Sequence, residues 1–165
     1  MTRELMSSTH KKVIVRKLDR DSVQGYVSPT SFVSDGKLQM LNIAGNVVAI
    51  ELTEIKGVYF VRDFNEPDAV VRKTFATRPR TAGLWVRLRF RDNEVMEAMM
   101  PNDLTQLTAE GFLVNPPDTR SNTQRIFVPR TALSTLTVLA VIGAPGTRRR
   151  RAAARDERQV TMFQE

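Results

Sequence analysis

The 165-residue chain contains no cysteine and a single histidine, His10. The first absence excludes a disulfide framework, thiolate metal ligation and a cysteine nucleophile. The second rules against multi-histidine metal sites, and because His10 lies in a polar N-terminal stretch it rules against serine–histidine–aspartate catalysis as well. Long apolar runs are missing too: the longest, Val138 to Ile142, is far short of the roughly 20 residues a membrane-spanning helix needs. Met1 to Lys12 lacks the apolar core of a signal peptide. No glycine-rich phosphate cradle and no nucleophile–base set is present. These absences predict a cytoplasmic, non-enzymatic protein with no catalytic residues, no cofactor, no bound metal and no membrane partner.

What is present is enough to fold. Hydrophobic residues make up 41% of the chain, which rules against wholesale disorder, and the length suits one ordinary domain or two small ones. Two blocks rich in Val and Ile, residues 12–64 and 84–143, flank a mixed, proline-bearing connection over 65–83. A polar tail covers 144–165. Inside both blocks the signal is β. Val13-Ile14-Val15 leads to a turn at Asp19-Arg20-Asp21-Ser22, where short polar side chains bond nearby backbone, and the strand resumes at Val23. Leu38 and Met40, then Val47, Val48 and Ile50, frame a hairpin connection at Asn42 to Asn46. Val58-Tyr59-Phe60-Val61 is a near-continuous run of β-formers. Only single helical turns are expected, at 102–110 and 131–136.

The two blocks resemble each other. Val15-Arg16 followed by Arg20-Asp21 returns as Val86-Arg87 followed by Arg91-Asp92, and Ile50-Glu51-Leu52-Thr53-Glu54-Ile55 returns as Val128-Pro129-Arg130-Thr131-Ala132-Leu133. Each unit reads as a bent hairpin, a second hairpin and a closing strand. Such a sheet buries its apolar face best by curling into a small barrel, which also removes free edges. The order of elements, with Gly45 to Ile50 and Ile55 to Val58 as the closing half, resembles the Sm-like group of small barrels within the SH3-like class. The resemblance implies an all-β fold of two tandem Sm-like barrels, 12–64 and 84–143, and RNA binding as one function. No pocket residue of that family is carried over.

Charge supplies the candidate sites. Asp19 and Asp21, and Asp92, Glu94 and Glu97, lie beside Arg16, Arg20, Arg89 and Arg91, which are placed to neutralise them, so no metal site is predicted. Arg72, Lys73, Arg78, Arg80, Arg87, Arg89 and Arg91 fall within 20 residues. Arg87, Arg89 and Arg91 alternate onto one strand face, with Trp85 and Phe90 interleaved, so that one face is apolar and the other cationic. Such a face suits DNA or RNA phosphates; the same arginines equally suit a solvated surface paired with Asp92, Glu94 and Glu97. Arg16 and Arg20, followed by Ser22 and Gly25, are similar in spacing to parts of the signature of PilZ domains. That similarity implies cyclic di-GMP as an alternative ligand.

The tail is the most specific segment. From Thr147 to Glu165, six arginines against three acids give +3 of the chain's net +7. Arg148, Arg149, Arg150 and Arg151 follow a Gly-Ala-Pro-Gly linker and form a tether able to touch nucleic acid. Beyond them, Gln159-Val160-Thr161-Met162-Phe163 resembles the short peptide with which bacterial proteins dock on the DNA sliding clamp. The resemblance implies the clamp as partner, with Gln159, Met162 and Phe163 as docking residues; alternatively, Met162 and Phe163 pack back on their own chain. The leading expectation is therefore a non-enzymatic adaptor working near DNA. An Sm-like RNA-binding regulator and a PilZ-like sensor are the alternatives. The oligomeric state is left open.

Overall fold

Two valine-rich stretches form the first hairpin, β1 (Lys11–Lys17) and β2 (Ser22–Val27). The turn between them is closed by Asp19, whose Oδ1 accepts the Asp21 N–H at 2.9 Å, with Arg20 at φ 76°. After the short β3 (Val33–Ser34), β4 (Lys37–Asn42) and β5 (Val47–Glu51) form the second hairpin. There Asn42 Oδ1 accepts the Asn46 N–H at 2.9 Å, and Gly45 adopts φ 88°. Both turns lie where Asp and Asn predict them, because those side chains bond backbone two to four residues on. A 3-10 turn at Leu52–Glu54 leads into β6 (Ile55–Val61). The second block contributes β7 (Gly83–Phe90), β8 (Val95–Met100), β9 (Gly111–Val114), β10 (Thr123–Pro129) and β11 (Leu133–Ile142). Its 3-10 turns span Leu104–Gln106 and Arg130–Ala132. The computed structural model describes residues 10–65, 73–118 and 120–143, and no helix in them exceeds one turn.

The chain is thus all-β, built from two antiparallel sheets. The larger runs β3-β4-β2-β1-β6-β10-β9, with β5 added beside β4; the smaller runs β11-β7-β8. Neither sheet closes on itself among the described strands. The block boundary near residues 64–84 is not a boundary between sheets, because β9 and β10 extend the sheet that the first block begins. The joint is the antiparallel pair β6–β10, with Ile126 opposite Tyr59 and Phe127 opposite Val58. Asn122 fastens its end: Oδ1 accepts from the N–H groups of Arg62 (3.1 Å) and Asp63 (2.9 Å), and Nδ2 donates to the Asp63 carbonyl at 2.7 Å.

Packing explains why the joint is kept. Successive residues of a strand face opposite sides, and around β6 both sides are core. Val13, Val15, Val58 and Phe60 join Leu38, Ile50 and Ile55 in one apolar cluster. Ile14, Tyr59 and Val61 join Val86, Leu88, Phe90 and Met96 in another. All seven residues of β6 are buried, as expected of a strand covered on both faces, which reads as a continuous apolar run. β10 is split the same way: Ile126 and Val128 belong to the second cluster, and Phe127 to the first. The Phe127 ring meets Phe32 edge-on at 5.1 Å, and Phe32 in turn meets Phe60 at 5.7 Å. Close approach also fixes Gly25, where a Cβ would collide with the Leu41 carbonyl oxygen and the Met40 side chain, so β2 and β4 pair there only without one.

A residue of the second block thereby completes the core of the first. Phe127→Ala is expected to cost about 3–5 kcal/mol, the usual penalty for emptying a buried aromatic site. Urea unfolding of both forms should remain one transition, with Trp85 fluorescence, which reports the second block, coincident with far-UV circular dichroism. Separate transitions would show that the two cores do not depend on each other.

Candidate functional site

The outer face of the three-stranded sheet is cationic because β7 alternates. Leu84, Val86, Leu88 and Phe90 point into the core, while Trp85, half-buried, and Arg87 and Arg89, exposed, point out. Trp85 therefore shares the arginine face instead of opposing it; only Phe90 is on the apolar side. The parity of residues 85, 87 and 89 decides this. Arg91 lies past the end of β7 in the turn to β8, exposed, with its backbone N–H bonded to the Ala132 carbonyl at 2.9 Å. Beside Arg87 and Arg89, β11 places Thr137 and Thr135, and β8 places Glu97 and Val95.

The acids meant by the sequence to neutralise these arginines are engaged elsewhere. Lys56, buried on β6, reaches across to the β7–β8 turn and bonds Asp92 Oδ2 at 2.6 Å and Glu94 Oε2. Lys73 holds the other Glu94 oxygen at 2.8 Å. The Lys56 ammonium also lies 5.1 Å from the centre of the Phe90 ring. Burial by itself pulls Lys56 down, but hydrogen bonds and charge from Asp92 and Glu94 outweigh it and hold the amine above the usual lysine value. Burial likewise pushes both carboxyls up, and the Lys56 contacts, with Lys73 for Glu94, leave them below the usual carboxylate range. Glu97 is buried and spoken for: Oε2 accepts from the Phe75 backbone N–H (3.0 Å) and Trp85 Nε1 (3.2 Å). Arg87 stands 4.0 Å from its other oxygen. Among the described residues, Arg89 and Arg91 have no ion-pair partner.

Phe75, packed edge-on against Trp85 at 6.0 Å, pins the segment that follows Lys73 over this face. The segment folds into a polar cleft lined by Thr74, Thr77, Arg78, Arg80, Thr81 and Pro117. The structure thus joins Arg78 and Arg80 in one cleft and Arg87 and Arg89 on one strand. Asp19 is occupied in closing its own turn. Among the described residues no group of His, Asp and Glu fit to hold a metal ion occurs, and no helix is long and apolar enough to cross a membrane. Arg148, Arg149, Arg150, Arg151, Gln159, Met162 and Phe163 lie outside the described residues. Sequence reasoning missed Lys56, since nothing local ties it to residues 36 and 38 positions away. The available signal was a lysine inside an otherwise apolar strand.

Over residues 9–140 the chain matches the profile of DUF6982, a family of unknown function. It belongs to that family. No curated protein and no solved structure matches it. The matched span takes in β1 to β10 and all but the last two residues of β11, including the β6–β10 joint and the Lys56–Asp92–Glu94 cluster, so the DUF6982 unit covers both blocks together.

The cluster gives a pH signature. Stability from the raised Lys56 is fully present below the ordinary lysine value and is lost as pH rises through the folded value. Stability from the depressed Asp92 and Glu94 is present above the ordinary carboxylate range and is lost as pH falls through their folded values. Lys56→Met should lower stability by about 1–2 kcal/mol near neutrality, between the values for exposed and buried pairs. The gap to wild type should narrow below about pH 4, where the carboxylates take up protons. Urea midpoints at neutral and acid pH check this; a pH-independent gap would contradict it.

Proposed function

We propose that this chain is a non-enzymatic adaptor: two fused Sm-like half-barrels that hold nucleic-acid phosphate with an arginine face and dock on the DNA sliding clamp through the C-terminal peptide. The observation that carries the nucleic-acid part is the allocation of charge. Lys56 and Lys73 take Asp92 and Glu94, which leaves Arg89 and Arg91 without a carboxylate among the described residues and Arg87 with one only at 4.0 Å. Unneutralised guanidiniums beside an indole suit a flexible, single-stranded polyanion, whose phosphates they bind and whose bases they stack against. Arg148 to Arg151 add to the same field.

Support for the two-barrel reading comes from strand pairing. β1 pairs with β2 and with the closing β6; β7 pairs with β8 and with the closing β11. β2 meets β4 and β4 meets β5, while β8 touches the strand after it through the Met99–Asn115 bridge and β9 meets β10. A 3-10 turn precedes each closing strand. The clamp reading rests on Gln159, Met162 and Phe163 and their spacing. The cyclic di-GMP reading is less favoured: the Arg16 guanidinium lies 4.7 Å from the Tyr59 ring centre, and Gly25 is packed beneath Leu41 and Met40.

Fluorescence titration of the full chain with single-stranded RNA and DNA tests the basic face. Affinity should fall steeply with salt, and Arg87→Ala/Arg89→Ala should weaken binding about tenfold or more and flatten the salt slope. Binding unaffected by salt or by that double substitution would rule the interface out. Pull-down with purified clamp tests the peptide: Met162→Ala/Phe163→Ala should abolish retention, and equal retention would refute docking.

A further inference from the structure

The cleft beside the β7 face is shaped by a short segment with its own logic. Pro79 is buried between two exposed arginines, Arg78 and Arg80. A residue that precedes proline is held extended, and in an extended chain residues two apart leave the same side, with their Cα atoms about 7 Å from each other. Arg78 and Arg80 accordingly both line the cleft, with Pro79 as the root between them. The segment is fastened upstream. The Lys73 carbonyl accepts the Glu97 N–H at 2.6 Å, the Phe75 N–H bonds Glu97 Oε2 at 3.0 Å, and the Phe75 ring meets Trp85. Pro117, from the connection between β9 and β10, supplies part of the wall. The result is a cleft of about 340 Å³, within the size range of small-ligand sites.

Its lining has one chemical sense. Two guanidiniums bring planar forks of N–H donors, and Thr74, Thr77 and Thr81 bring hydroxyls. Among the described residues no carboxylate lines the cleft, and neither arginine has an ion-pair partner. Asp118, next to Pro117, is occupied within its own turn, where it accepts the Arg120 N–H at 3.0 Å. Two forks side by side match the dianion of a phosphate monoester, with its charge of about −1.5 to −2 near pH 7. The cleft volume is also many times the roughly 30 Å³ share of one water molecule, so a phosphate fills only part of it. Threonine hydroxyls both donate and accept, which suits hydroxyls on the remainder of the ligand. We propose that this cleft is a small-molecule site for a phosphate monoester bearing hydroxyl groups, the chemistry of a sugar phosphate. Arg78 and Arg80 clamp the phosphate, and the threonines hold the organic part. The site is separate from Arg87 and Arg89, and the Phe75–Trp85 contact links it to their face.

Trp85 is the chain's single tryptophan, so its fluorescence reports the cleft through Phe75. Titration of the full-length protein with ribose 5-phosphate, with no nucleic acid and no clamp present, reads the site independently of the proposed function. The change should saturate at one ligand per chain, and calorimetry on the same pair decides where fluorescence is silent. Inorganic phosphate should bind more weakly, and ribose should not bind. Arg78→Ala/Arg80→Ala, at exposed side chains, should weaken ribose 5-phosphate binding about tenfold or more. Arg78→Lys/Arg80→Lys keeps the charge but loses the forks, and it too should bind more weakly than wild type. Four results would each overturn the proposal: no saturable binding by calorimetry, inorganic phosphate bound as tightly as ribose 5-phosphate, a lysine form equal to wild type, or an equal or greater loss in Arg87→Ala/Arg89→Ala.

Discussion

The fold depends on β6 being buried on both faces at once. Val58 and Phe60 look into one core, and Tyr59 and Val61 into the other, so a single backbone segment sets the position of both. Each of those side chains is worth about 1.5–3 kcal/mol when withdrawn from water, and removing the neighbours on either face exposes half of them. Neither half closes around itself. Phe127 must arrive from the second block to complete the first core, and Ile14 and Tyr59 must be present for the second. That mutual requirement explains why one sheet continues from the first block into the second through β6 and β10 when each block contains the elements of a hairpin-built sheet.

The same strand places the polar chemistry. Lys56 sits within β6, one residue before the close approach at Gly57, where a Cβ would crowd Tyr59 and Ile126. Its ammonium crosses to the β7–β8 turn, so Asp92 and Glu94 are spent on joining the halves and not on balancing the arginines that flank them. The cationic character of the β7 outer face follows from this allocation. Glu97, Trp85 and Phe75 stiffen that face from one side. The proposed binding surface is a sheet face with arginines on top, suited to holding phosphates.

Much of the fold was legible in the residues. The turns at Asp19 to Ser22 and at Asn42 to Asn46 were signalled by their own side chains, and the alternation in β7 identified Arg87 and Arg89 as outward. The single turns expected at 102–110 and 131–136 are 3-10 turns at Leu104–Gln106 and Arg130–Ala132, the latter ending where β11 begins. The β6–β10 pairing was not legible, because it joins residues some 60 or more positions apart and no local pattern encodes it. The unbroken Val58-Tyr59-Phe60-Val61 run carried the clue: a strand without alternation is one with no solvent face. Trp85 was misplaced because its aromatic character outweighed its odd-numbered position. The Lys56–Asp92–Glu94 cluster escaped for the same reason as the joint it spans.

Native-state hydrogen exchange tests the shared-strand account most directly. Amides of Val58 to Val61 in β6 and of Ile126 to Val128 in β10 should exchange only through global opening, with one common free energy. Exchange of the β10 amides by a cheaper, separate opening that leaves β6 protected would contradict it.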